Sequence, residues 1–226
     1  MTALAADPAT IAMLLADARL PSGGHAHSSG LEPALLGGMP ASEAAAFLRA
    51  RARTTTLVDA GTAVAARHAA LVGAPLAAVE DAWTARTPSR AMREASRDLG
   101  RGLRRLAERI WPDSAAITAL GVASSPPPRP LVLGAIAAET GLEPEQLVRL
   151  AVYDDLAGAV AALLKLDPRD PADGVALVLS SCASIEARIP TISAVRHPED
   201  IPSLSAPQAE AWAESHATAR GRLFRG

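Results

Sequence analysis

The sequence predicts an all-α fold, a single multi-helix bundle of roughly 8–10 helices spanning residues 1–226, on three observations. Hydrophobic residues make up 49% of the chain but aromatics only 3%. The core must therefore be built from Ala, Leu, Val and Ile, which suit close-packed helices better than sheets. Apolar residues recur at three- and four-residue steps over most of the length. Helix starts are marked by a capping side chain ahead of a proline, as at Asp7-Pro8 and Thr87-Pro88.

Taken in order, a first helix follows Asp7-Pro8, presents Ile11, Leu14, Leu15 and Ala18 on one face, and stops at Leu20-Pro21. The stretch from Leu20 to Glu32 holds three glycines, three serines and two histidines and must be a loop. Ser28 or Ser29 can cap a short helix to Leu36, which Gly37-Gly38 ends. Ser42 opens a long helical pattern through about Leu71, and Pro75 to about Ala85 forms a shorter one.

The most regular segment runs from Thr87-Pro88 to Trp111-Pro112, with Met92, Ala95, Leu99, Leu103, Leu106 and Ile110 as its core stripe. Its other side carries Arg90, Arg93, Arg97, Arg101 and Arg104, interleaved with acids at ion-pair spacing. That makes it either a solvated face or a docking surface for an acidic partner. Gly100 and Gly102 each cost about 1 kcal/mol inside a helix, which implies that something packs closely on them.

The proline-rich stretch 124–130 reads as a rigid, extended linker inside the domain. Helices follow over 131–140 and from Glu143-Pro144 to Leu166, then a turn at 167–171. The run Val175 to Ile189 has the length and alanine content of a helix. Past Pro190 the pattern weakens into a C-terminal tail, 190–226, able to order on a partner, with a last helix near 209–219 and the ending Arg222-Leu223-Phe224-Arg225.

The totals exclude several classes. A net charge of −2 gives no global attraction to nucleic acid or an anionic membrane. The arginine-bearing helix lacks the helix-turn-helix setting of a DNA reader. Cys182 is the only cysteine, so a disulfide framework and cysteine-rich metal sites are excluded. The N-terminus shows no basic region ahead of an apolar segment, and no run of about 18 apolar residues occurs, so a cytoplasmic location is expected.

His25 and His27 are metal candidates, since paired imidazoles suit nickel, zinc or copper. Further ligands from His68, His197, His216, Glu32 or Cys182 would have to come through the fold. Ser22, Ser28 or Ser29 with His27 lacks the Gly-x-Ser-x-Gly elbow of a hydrolase. The glycines lack the Gly-Lys-Ser/Thr ending of a phosphate loop. No catalytic residue is identified, which leaves a binding or assembly protein, with a metal-binding protein using His25 and His27 as the alternative.

Three ordered motifs resemble the urease accessory protein F family: Leu20-Pro21-x-Gly23-Gly24-x-x-His27-Ser28-x-Gly30-Leu31-Glu32, Ser96-Arg97 with Gly100-Arg101, and Arg222-Leu223-Phe224-Arg225. The resemblance implies a non-enzymatic, all-helical homodimer that bridges the urease accessory protein D/H and the GTPase accessory protein G, coupling GTP hydrolysis to nickel delivery into apo-urease. No cofactor would be stably bound; nickel would be handled by the complex and GTP by the partner GTPase.

Carried over, Gly23, Gly24, His27, Ser28, Gly30, Leu31 and Glu32 would shape the dimer and GTPase-facing region. Arg97 and Arg101 would contact partners from the polar face of their helix, and Arg222, Leu223, Phe224 and Arg225 would engage the D/H partner. The chain departs from the family pattern at three places. His25 replaces an aromatic or aliphatic residue, Ser29 replaces a frequent glycine, and residues 167–174 replace a Pro-Leu-Gly-Gln segment.

Overall fold

Low aromatic content has a direct structural counterpart in the central helix, α4 (Thr55–Val72), where Ala60, Gly61, Ala63, Ala65, Ala66 and Ala69 are all buried. A helix that buries so many small residues in succession lies inside the bundle, and its short side chains let neighbours approach. α8 (Arg129–Thr140) comes closest: a Cβ on its Gly134 would collide with the α4 backbone at Ala63 and with the Ala66 methyl. The structure, a computed structural model, describes residues 6–121, 125–219 and 222–224. Among these it contains twelve α-helices and no strand.

The rest of the bundle is laid around α4 and α8. α9 (Pro144–Leu166) buries Leu147, Leu150, Leu156 and Leu163 and packs on α4. α1 (Pro8–Ala16) lies on α9, started by Asp7, whose carboxylate accepts from the Ala9 amide at 2.8 Å. α2 (Leu31–Leu36) also contacts α9. α3 (Ala44–Arg53), α5 (Ala77–Arg86) and α6 (Arg90–Ile110) follow, with α6 against α8 and then the short α7 (Ala115–Ala119). α10 (Pro171–Ala183) packs on α9 and α3, α11 (Ile189–Ser193) on α9 and α4, and α12 (Pro207–Ala217) on α2 and α6.

The long helix expected from Ser42 to Leu71 is broken. A 3-10 turn (Ala41–Glu43) precedes α3, and Thr54 leaves helical geometry at φ −125°, ψ −100° before α4 begins. The break falls in Arg53-Thr54-Thr55-Thr56, where a threonine hydroxyl competes for backbone carbonyls. The Thr54 Oγ1 donates to the Ala50 carbonyl at 2.7 Å.

Beyond Pro190 the scattered apolar residues are core: Ile192, Val195 and Ile201 are all buried. Arg86 of α5 pins this segment, donating to the carbonyls of Ile201 at 2.8 Å and Glu199 at 3.2 Å. Against the expectation of no long apolar run, the stretch Pro171–Ser193 is long and apolar enough by composition to cross a membrane, with a mean hydropathy of 1.4. In the fold it is two helices, α10 and α11, separated by a 3-10 turn carrying Glu186 and Arg188.

The close packing expected at Gly100 and Gly102 is present. A Cβ on Gly100 would strike the Pro127 carbonyl, and one on Gly102 would strike the Ser22 carbonyl. The two glycines thus seat the proline-rich stretch and the N-terminal loop side by side on α6. Pro128 is extended at φ −65°, ψ 154°, as consecutive prolines require.

Candidate partner-binding site

Backbone geometry sets the N-terminal loop first. Gly23 and Gly30 take φ of +86° and +80°, a region closed to most L-residues, and between them Gly24–Ala26 form a single 3-10 turn. Ser29 also has positive φ, +48°. Gly30 rather than a serine stands at the N-cap of α2, but the buried Ser28 still serves that helix, its Oγ accepting from the Glu32 amide at 3.3 Å. Leu31 points into the core, fully buried.

Glu32 is the chemical centre of the loop. Its carboxylate, 3% exposed, accepts from the Leu223 amide at 2.7 Å, from the Phe224 amide at 2.9 Å, and meets His216 Nε2 at 3.0 Å. A carboxylate bound by amide donors is acceptor-only, so the imidazole donates here. His216, on the last turn of α12, is itself buried. The loop motif and the C-terminal motif, almost two hundred residues apart in sequence, therefore form one structure. Phe224 is buried with the Lys165 ammonium 5.3 Å from its ring centroid, while Leu223 and Arg222 are exposed. Arg225 lies outside the described residues.

α12 is clamped against the loop and α6 at two further points. Its Trp212 ring lies so close to Gly37 that a Cβ there would clash. Its Glu214 accepts from the Ser89 hydroxyl at 2.6 Å and the Ala91 amide at 2.9 Å at the start of α6. The Ser89 and Ala91 bonds hold Glu214 below the usual carboxylate range.

Behind the loop, His27, Ser29 and Gly30 line a cavity of about 130 Å³ whose wall carries a buried charge cluster. Arg51 donates from Nε and Nη2 to both oxygens of Asp155, each at 2.8 Å, and Thr56 donates to Oδ2 at 2.6 Å. Burial pushes Asp155 upward, but the Arg51 charge and hydrogen bonds, with Thr56 and Ser29, more than offset this and hold it low. Arg129 pairs with Asp154 at 2.7 Å; burial still leaves Asp154 raised. Among the described residues Asp59 has no ion-pair partner; the Trp83 indole N–H donates to it at 2.8 Å, and burial pushes it up to about 6 against that bond and the more distant Arg51 and Arg129 charges. Composition and spacing gave no sign of this cluster, since its members lie on α3, α4, α8 and α9 and meet only through the fold.

The remaining predicted residues divide. Gly23 and Gly24 shape the outer turn, with His25 exposed beside them and His27 facing the cavity. Among the described residues no group of three or more His, Cys, Asp or Glu is placed to hold a metal ion. Arg101 projects from α6 and pairs with Asp98 at 2.8 Å. Arg97 does not project: it is largely buried, bonded to Glu80 at 3.0 Å and stacked 5.6 Å from the Trp83 centroid. The face assigned as polar turns under α5 at this point, which separates two arginines four residues apart.

Fold and site together define an all-helical protein whose N-terminal loop and C-terminal end are built into one another. The UreF family model matches residues 40–182. A urease accessory protein UreF of Mycobacterium sp. (strain JLS) is 38% identical over 220 residues, covering 95% of this chain and 97% of the relative. That of Mycobacterium marinum is 38% identical over 219 residues, covering 95% and 98%. That of Mycobacterium tuberculosis (strain ATCC 25177 / H37Ra) is 42% identical over 181 residues, covering 76% and 77%. The chain belongs to the UreF family of urease accessory proteins.

Proposed function

We propose that this chain is a non-catalytic urease maturation factor that bridges the accessory protein D/H and the GTPase accessory protein G, so that GTP hydrolysis on the partner is coupled to nickel delivery into apo-urease. Family membership supports the urease side of this reading. One observation carries the bridging: the loop at 20–32 and the segment 222–224, which the resemblance assigns to different partners, are joined at Glu32. A protein that must register two partners at once gains from having both contact segments on one rigid support.

Nickel belongs to the complex rather than to this chain alone, and the cytoplasm is the compartment where the partners would meet it. The homodimer has a surface of the right chemistry in α10. From Gly174 to Ile185 no charged residue occurs, and Val175 and Leu179 are 60% and 64% exposed. Apolar side chains exposed along one helix face mark contact surfaces.

Co-expression with the cognate D/H and G proteins tests the reading. All three should co-purify, and a chain carrying Val175→Glu and Leu179→Glu should sediment as a monomer. Urease that matures to full activity in cells lacking this chain, with no complex recovered, would sink the proposal.

A further inference from the structure

The apolar stripe of α6 is only partly used by the core. Its C-terminal half is covered, with Leu103 1% exposed. Met92, Ala95 and Leu99 on the same stripe stay partly accessible and line the cavity behind the N-terminal loop. Apolar residues at core spacing that meet a cavity in place of side chains leave a surface suited to an apolar occupant. One water needs about 10–15 Å³ of such space, so about 130 Å³ has room for a molecule of several non-hydrogen atoms.

The polar lining asks for a different group. Of its cations, Arg51 is held by Asp155, Arg129 by Asp154, and Arg86 by the Ile201 and Glu199 carbonyls. Asp59 has no ion-pair partner: the Trp83 indole occupies Oδ1, and among the described residues no donor reaches Oδ2. Thr55 lines the same cavity with a buried hydroxyl that has no hydrogen-bond partner. Both residues are on α4, four apart, and that spacing puts their side chains on one face of the helix.

Two oxygens able to accept, one of them carrying an unmatched negative charge, fit the several N–H donors and the positive charge of an ammonium group. We propose that this cavity binds a small organic ammonium ion, with Asp59 and Thr55 holding the head group and Met92, Ala95 and Leu99 receiving its hydrocarbon part. The raised pKa of Asp59 has the same origin, since a bound cation supplies the counter-charge whose lack makes burial costly there. The site does not depend on the bridging reading, and either can fail without the other.

Proton–nitrogen NMR of the full-length chain provides the test, with n-butylammonium chloride as the probe and butan-1-ol as its uncharged counterpart. The titration is run at constant ionic strength and about pH 7.5, above the Asp59 pKa of about 6. The Trp83 indole peak reports on Asp59 through their hydrogen bond, and Trp111, outside the lining, is the internal reference. Butylammonium should shift the Trp83 peak saturably, and butanol should bind at least about tenfold more weakly. Asp59→Asn removes the charge at nearly constant shape and should weaken butylammonium at least about tenfold, with butanol unaffected. Thr55→Val should weaken it a few-fold, and Ala95→Phe, which fills the cavity, should abolish the shift. No saturable shift, equal affinity in Asp59→Asn, or butanol binding as tightly as butylammonium overturns the proposal. If Asp59→Asn fails to fold, the comparison of the two probes on the wild type decides alone.

Discussion

Two carboxylates, the largely buried Asp155 and the fully buried Glu32, organise different parts of this molecule, and their partners explain why. Asp155 is met by a cation: Arg51 grips both its oxygens, and Thr56 and Ser29 add donors. α3, α4, α9 and the N-terminal loop converge on that one group, so it fixes helices to one another. Glu32 is met by two amides and an imidazole, none a permanent charge, and two of the three donors come from the chain end. The first arrangement builds a frame, because losing either partner strands a buried charge. The second builds a clasp, because it joins the loop to the chain end and its loss strands no permanent cation.

The sharpest break of this comparison is at the frame. Asp155→Ala leaves the buried Arg51 without its counter-charge, and removing one partner of such a pair costs about 3–5 kcal/mol. Chemical denaturation should register that loss as a global fall in stability. Glu32→Gln should instead act mainly at the chain end. Comparable global losses from both would erase the distinction between frame and clasp.

Asp59, beside the frame and without an ion-pair partner among the described residues, sharpens it further. Burial raises its pKa from the 3.8 of a free carboxyl to about 6, with the Asp155 charge adding to it and the Trp83 hydrogen bond and the Arg51 and Arg129 charges opposing. The folded state therefore binds the proton more tightly than the unfolded one. This group's contribution is most favourable below about pH 4 and is lost as pH rises to about 6, a change of about 3 kcal/mol at 1.4 kcal/mol per unit. Asp59→Asn should be more stable than wild type at pH 7 and should flatten the pH 4–6 segment of the stability profile. An unchanged profile would show that Asp59 is solvated through the cavity.

The clasp side has its own support, the seating of the loop on α6. Gly102→Ala drives a methyl into the Ser22 carbonyl, so the loop must lift, at a cost of about 1–3 kcal/mol. Protection of amides over 20–32 should fall with it. Here the sequence was informative: two glycines inside an otherwise regular helix have no local justification, and close approach is the physical reason they are tolerated. Asp7-Pro8 was legible for a similar reason, because capping is a local property, whereas the cap expected at Thr87-Pro88 is displaced: Thr87 ends α5 and Ser89 caps α6 two residues later. The break at Thr54 was not, since helical periodicity continues across it. The Glu32–His216 pair and the Arg51–Asp155 pair were invisible because partners 184 and 104 residues apart leave no spacing to read.

The smallest effect separates two arginines that periodicity placed on one face. Arg101 is half exposed and pairs with Asp98 within its own helix, an interaction worth a few tenths of a kcal/mol. Arg97 is three-quarters buried, joins α6 to α5 through Glu80, and covers the Trp83 ring whose N–H holds Asp59. Arg101→Glu should leave the melting temperature within about a degree while weakening capture of an acidic partner surface. Arg97→Glu places a carboxylate against Glu80 and should lower stability by about 2 kcal/mol or more, with any binding loss following from that. Measuring melting and partner capture on both variants assigns the ridge residue by residue. Equal melting temperatures would mean that Arg97 is held in place by the helices around it and contributes nothing to holding them.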